Sequence, residues 1–153
     1  MESYFVRKAV EIKAPAPKVW QVLTDPNFIR HWVHEFGLEG GGIESDWEIG
    51  STVLWKNAEG RVIVGGGVTR SEIYKLLHYT VIDIEYGQPP GSDYSDGITY
   101  ELTEFLGWTK LSIEQGDFAK DENYRSYIDK ATAVWDRVLP IVKMIAEDNQ
   151  IYH

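Results

Sequence analysis

A curved antiparallel sheet wrapped around one long helix, an α+β architecture, is predicted by three features of this 153-residue chain. An opening strand-like segment is followed by two short, proline-started helices. The middle of the chain consists of strand segments joined by breaks too short for crossover helices, and the last third switches to a helical period. A run of strands followed by a helix favours helices on one side of an antiparallel sheet. The sheet is expected to have six to seven strands, the two short helices following the first.

From Tyr4 to Lys13 the even positions Tyr4, Val6, Val10 and Ile12 are apolar, while Arg7, Glu11 and Lys13 occupy odd ones. This is the period-two pattern of a half-buried strand, interrupted on its apolar side by Lys8. Pro15 and Pro17 end the strand and suit a first helical turn, where a missing N–H costs little. Ala16, Val19, Trp20 and Leu23 then lie at i, i+3, i+4 and i+7, on one helix face. Thr24-Asp25-Pro26 stops this helix and starts another, with Asp25 as its N-cap and Phe28, Ile29 and Trp32 as its apolar face.

Beyond Glu39, strand segments are expected at Ser51–Lys56, Arg61–Arg70, Leu76–Glu85, Ile98–Leu106 and Trp108–Gln115, with a further one around Ile43–Trp47. NAEG and YGQPPGSDYSDG are the turn-rich breaks. Gly65-Gly66-Gly67 within a strand predicts a bulge or sharp bend, because glycine is otherwise unfavourable there. In the final third, Tyr124, Tyr127, Ile128, Ala131, Val134, Trp135, Val138, Val142 and Ile145 step by three and four. They mark a long helix from about Glu122 to Glu147, capped by Asp121 or Asn123, in which Pro140 is expected to cause a kink.

A chain of this length can bury roughly 68–70% of its unfolded surface as one domain, here 1–153. The net charge of −9 opposes the counterion release that drives nucleic-acid binding and disfavours anionic membranes, so neither partner is expected. No cysteine is present, which removes disulfides, thiolate metal sites and thiol catalysis and fits a reducing compartment. No segment reaches the about 20 apolar residues that span a bilayer, and the amino end lacks signal-peptide organisation. A soluble, cytoplasmic protein is expected.

The sharpest local motif is HWVHE, His31 to Glu35. Metalloprotease zinc needs histidines at i and i+4 with the glutamate between them; here the spacing is i and i+3 with Glu35 outside, and no third strong ligand follows. No metal is expected, and surface or packed histidines are the alternative. VGGGV lacks the Lys-Ser/Thr of a phosphate loop and opens no helix. The carboxylate pairs Asp83 with Glu85 and Asp93 with Asp96 read as solvated charge. More informative is the set Trp20, Trp32, Trp55, Tyr79, Tyr100, Tyr127 and Trp135, all on core-facing or sheet-facing positions. Such a set either fills a core or lines an aromatic pocket with a few polar tips.

VEIKAPAPKVWQVLTDPNFIRHW, GWTKLSIEQGDF and VWDRVLPIVKMI together resemble the helix-grip proteins related to the activator of heat-shock protein 90 ATPase homologue. The superfamily includes START lipid-transfer domains, the birch-pollen allergen and polyketide cyclases. Val10 to Lys13 match the family's first strand, and Val19, Trp20 and Leu23 its V-W-x-x-L helix. Asp25-Pro26 and Trp32 match the helix break and following Trp. Gly107, Thr109, Leu111 and Ile113 fit the late-strand pattern, and Trp135 to Leu139 the W-x-x-x-L of the last helix. The loop Gln88 to Gly97 and Pro140 depart from the pattern.

The resemblance implies a helix-grip fold with a cavity between sheet and long helix, lined by Trp32, Trp55, Tyr79, Tyr100, Tyr127, Ile128, Ala131 and Trp135. The expected function is binding of a small, largely hydrophobic ligand, with no catalytic residue, metal or cofactor. Two alternatives stay open: a protein-interaction or co-chaperone module acting on heat-shock protein 90, and a polyketide-cyclase-like enzyme or small-molecule hydrolase with an acid or base such as Glu104 or His78 in the cavity.

Overall fold

The structure, a computed structural model, describes residues 5–83, 96–118 and 124–148. In chain order these form β1 (Val6–Ile12), α1 (Ala16–Thr24), α2 (Pro26–Ile29), a 3-10 turn at Val33–Phe36, β2 (Gly42–Glu44), β3 (Thr52–Lys56), β4 (Val62–Glu72), β5 (Leu76–Asp83), β6 (Asp96–Phe105), β7 (Trp108–Gly116) and α3 (Tyr124–Glu147). The strands form one seven-stranded sheet ordered β1-β7-β6-β5-β4-β3-β2, with every neighbouring pair antiparallel. The sheet curls around α3, the helix-grip arrangement. The expected helix caps Asp121 and Asn123 lie outside the described residues, as does the end of the segment expected to reach Glu85.

Alternation sets the faces. Val6 and Ile12 of β1 are buried and Val10 half-buried, while Arg7 and Glu11 are exposed. Lys8 falls on this inward row, and α3 accommodates it: its ammonium sits 3.0 Å from Asp136. The residues facing β1 across the sheet, Leu111 and Ile113, are buried as well. Thr109, on the same row, is fully buried and spends its hydroxyl on the Ala14 carbonyl at 2.7 Å.

Pro26 starts α2, and Asp25 caps it by accepting from the Asn27 amide at 2.8 Å. The start of α1 is different, because Pro15 has no side chain to offer as a cap. Glu104, from the distant strand β6, accepts the Ala16 amide at 2.5 Å, placing a carboxylate at the positive end of the helix. At its other end α3 is tied to β1: Glu147 accepts the Lys13 amide, and Lys143 reaches the Glu11 carbonyl. Hydrogen bonding to Lys143, then to the Lys13 backbone, holds the Glu147 carboxyl below its ordinary pKa.

The structure differs locally from the sequence reading: α2 ends at Ile29, short of the Trp32 expected on its face. The strand expected at Ile43–Trp47 ends at Glu44, because Trp47 turns into the left-handed region (φ 61°). There its indole N–H donates to the Thr24 carbonyl and its own carbonyl accepts from Ser71. Helix α3 runs through Pro140 without ending there: Pro140 is exposed, so the Asp136 carbonyl it leaves without an intrahelical donor is on the wet side. The register slips fall between Trp55 and Lys56 on β3 and between Val68 and Arg70 on β4, beside the glycine triplet rather than within it.

The triplet instead permits close approach. A Cβ on Gly66 would lie 1.8 Å from the Thr80 carbonyl oxygen of β5, whereas one on Gly67 would meet nothing nearer than the Ser51 carbonyl at 3.7 Å. Gly66→Ala is therefore expected to destabilise by about 3 kcal/mol, the upper end of an overpacking cost, because backbone must move. Gly67→Ala should be near neutral. Urea midpoints at unchanged m-value check the pair.

Candidate functional site

Strand register defines the two ends of the grip. The carboxy-terminal ends of β3, β5 and β7 and the amino-terminal ends of β4 and β6 share one end of the sheet. The ties from Lys143 and Glu147 to β1 hold the last turn of α3 at the opposite end. The first half of α3 therefore runs toward the end marked by Trp55, Val64, Val81 and Gln115.

Burial along α3 is graded accordingly. Trp135, Val138, Leu139, Val142 and Ile145 are at most 4% exposed, whereas Ile128, Ala131 and Val134, toward the first turns, are only half-buried. On the sheet, Val64 and Val81 are half-buried as well, and Val64 is the cross-strand partner of Trp55. Half-buried apolar side chains of helix and sheet thus lie toward this end of the grip, whereas Val138, Leu139, Val142 and Ile145, further along α3, are buried.

The centre is a continuous chain of rings. Trp47 lies 5.8 Å from Tyr79, Tyr79 6.1 Å from Tyr100, Tyr100 6.0 Å from Trp135 and Trp135 5.2 Å from Phe36. Phe36 in turn stands edge-on to Trp55 at 4.9 Å and meets Trp32 at 6.2 Å. The contacts of Phe36 and that of Tyr100 with Trp135 are edge-to-face, which directs one ring's positive rim at its neighbour's negative face; the two made by Tyr79 are tilted. Trp32, Trp55, Tyr79, Tyr100 and Trp135 all belong to this chain, so the structure brings five of the expected lining residues together. Ile128 and Ala131, on α3, are half-buried against the core. Tyr127 is in α3, but its side chain lies outside the described residues.

Hydrogen bonds fix the rings in place. The indole N–H of Trp32 donates to the Val22 carbonyl at 2.9 Å, and that of Trp135 to Gln115 Oε1 at 2.8 Å. Trp55 differs: it is 4% exposed, and its Nε1 has no hydrogen-bond partner among the described residues. The Tyr79 and Tyr100 hydroxyls face one another at 3.3 Å. Burial pushes the Tyr79 phenol well above its ordinary pKa, with Tyr100 adding to the effect. The Tyr100 phenol is raised too, by burial, so both rings carry neutral O–H groups at any physiological pH.

Phe36, Trp47 and Gln115 complete this arrangement and were not in the expected lining. For Phe36 a signal existed, since it follows Trp32 by four residues. Nothing in the local pattern marks Trp47, whose role depends on a positive φ, or Gln115, whose partner is on another element.

The groups named for an enzyme lie elsewhere. Glu104 caps α1 and is exposed. His78 alternates with buried Leu77 and Tyr79, so it occupies the outer face, where Nδ1 is 2.6 Å from Thr99 Oγ1. Desolvation and then the Arg70 charge lower its pKa, against the pull of Glu114. Asp83 and Asp96 have side chains outside the described residues, and Glu85 and Asp93 lie outside them altogether. No group of three metal-ligating side chains occurs among the described residues. In HWVHE, Glu35 instead joins His34 at 3.3 Å and Arg137 of α3 at 2.6 Å.

Two surface clefts, of about 760 and 740 Å³, lie between α1 and the turn joining β4 to β5. They share Pro17, Ile73 and Tyr74, with the Tyr74 ring edge-on to Trp20 at 6.2 Å. Both are at the end away from the half-buried apolar surface. No described helix is long and apolar enough to cross a membrane.

The fold recurs among solved structures. Protein MLL2253 from Mesorhizobium loti superposes with a TM-score of 0.77 at 22% identity, covering 97% of this chain and 100% of that one. Aha1 from Colwellia psychrerythraea, a dimer in solution, gives 0.71 at 18%, covering 97% and 99%. DynU16, from the dynemicin biosynthetic locus, gives 0.69 at 18%, covering 92% of this chain and 46% of that one. No curated protein sequence matches. A family model, activator of Hsp90 ATPase homolog 1-like protein, matches residues 13–146, from the end of β1 to the last turn of α3. The chain belongs to the activator of Hsp90 ATPase homolog 1-like family.

Proposed function

We propose that this protein binds a small, largely apolar molecule at the partly covered end of the grip, against Trp55, Val64, Val81, Ile128, Ala131 and Trp135. The observation that carries the reading is the gradient of burial along α3. Half-buried apolar groups on helix and sheet lie toward one end of the fold, while Trp135, Val138, Leu139, Val142 and Ile145 are buried. Covering that surface with a ligand removes it from water at about 25 cal/mol per Å². DynU16 comes from a biosynthetic locus, which agrees with small-molecule binding on this scaffold.

Native mass spectrometry of gently purified protein is expected to show a mass above that of the chain, and a lipophilic library is expected to shift the tryptophan emission. Ala131→Phe should fill the site and weaken binding by about tenfold, with a small change in stability because Ala131 is not fully enclosed. Protein without excess mass and without any library response would defeat the reading.

A second reading, docking to a chaperone of the heat-shock protein 90 class, has its own support in the turn between β6 and β7. There Phe105, Leu106 and Trp108 are 75%, 84% and 46% exposed, an apolar tip of the kind found at interfaces. Capture of purified heat-shock protein 90 by the protein, abolished in Leu106→Ser, is the expected result. Equal capture by the variant removes this surface from consideration.

A further inference from the structure

We propose that the molecule held in the grip is neutral and carries a hydrogen-bond acceptor, of the ketone, ester or ether class, whose oxygen takes the Trp55 Nε1–H. The inference rests on the small-molecule reading above and adds the chemistry of the ligand's polar atom.

The donors of the aromatic chain can be counted. Trp32, Trp47 and Trp135 spend their indole N–H groups on the Val22 carbonyl, the Thr24 carbonyl and Gln115. Trp55, flanked by Ile43 and Val64 across the sheet and by Phe36 in front, finds no acceptor for its N–H among the described residues. The tyrosine pair adds a second such donor: Tyr79 and Tyr100 bring two hydroxyl hydrogens to the one contact between them, which uses one, and among the described residues no further side-chain acceptor is seen for the other. Buried polar groups are ordinarily paired, and an unpaired buried donor loses its hydration without return. The grip therefore has donors in excess and favours a guest that brings acceptors. The donors are neutral, and the inward-facing cation Lys8 is already held by Asp136, so a carboxylate would lose its hydration without gaining a counter-charge.

A matched set of probes separates this proposal from the reading beneath it. 2-Acetylnaphthalene and 2-ethylnaphthalene share a carbon skeleton and differ in the carbonyl oxygen; 2-naphthoate adds charge. The ketone is expected to bind about tenfold tighter than the hydrocarbon, one well-made hydrogen bond's worth, and tighter than the anion. In ¹H–¹⁵N spectra of the wild-type protein the ketone alone should move the Trp55 indole proton downfield. Trp55→Phe should bring ketone and hydrocarbon to within about twofold, and the wild-type indole shift stands as an independent measurement should that variant fold poorly. Equal affinity of ketone and hydrocarbon, with an unmoved indole proton, overturns the acceptor preference, assigns the Trp55 N–H to water and leaves apolar binding intact. Preferential binding of the anion overturns the neutral class. Failure of every probe at its solubility limit overturns both the proposal and the reading it rests on.

Discussion

Trp135→Ala is expected to lower stability by about 4 kcal/mol, within the range for deleting a large buried aromatic. The side chain is fully buried at the middle of α3, next to Phe36 and Tyr100, and its indole donates to Gln115. Alanine removes the ring contacts that join helix to sheet, opens a cavity in the centre of the ring chain and removes the indole donor from the Gln115 amide oxygen. Trp135→Phe should cost less, about 2 kcal/mol, because the ring contacts survive while the hydrogen bond does not. Met144, on the same helix but 57% exposed, supplies the contrast: Met144→Ala is expected to stay within about 0.5 kcal/mol. Urea unfolding with an unchanged m-value checks all three. A Trp135→Ala cost close to that of Met144→Ala would mean that the rings are not what joins α3 to the sheet.

The fold was legible in the sequence because its elements are specified locally. The step of three and four from Tyr124 to Ile145, the alternation in Trp108 to Gln115 and the prolines at 15, 17 and 26 each follow from short-range rules, and each corresponds to an element observed. Trp55, Tyr79, Tyr100 and Trp135 were identifiable for the same reason, since strand and helix period alone puts them inward; Trp32, expected on the face of the second helix, is buried although α2 ends at Ile29. What the pattern could not contain is pairing between distant parts of the chain. Glu104 looked like a candidate acid and instead caps a helix 88 residues away; Lys8 looked like an interruption and instead pairs with α3. The idle N–H of Trp55 belongs to the same class. Whether an indole is paired depends on which carbonyls the fold brings near it, and no spacing rule records that.

Alkaline pH is expected to unfold the protein more steeply than its exposed tyrosines would, because the Tyr79 and Tyr100 phenols are both held protonated by burial. In the unfolded chain a tyrosine ionises near pH 10. A phenol whose folded pKa is raised stabilises the native state fully below that value, and its contribution falls as pH rises further, since the unfolded chain sheds a proton that the native one retains. Each such group lowers stability by about 1.4 kcal/mol per pH unit above 10, so the pair removes about 5 kcal/mol between pH 10 and 12. That is of the order of a modest protein's entire stability. The control is the double variant Tyr79→Phe with Tyr100→Phe. Both partners of a long 3.3 Å contact are lost together, so the variant should be nearly as stable at pH 7 and more stable than wild type above pH 11. Absorbance at 295 nm reports tyrosinate directly: these two rings should ionise only as the circular dichroism of the fold is lost. Their ionisation in protein that remains folded would show that water reaches the hydroxyls, and the donor surplus inside the grip would then be a hydrated one.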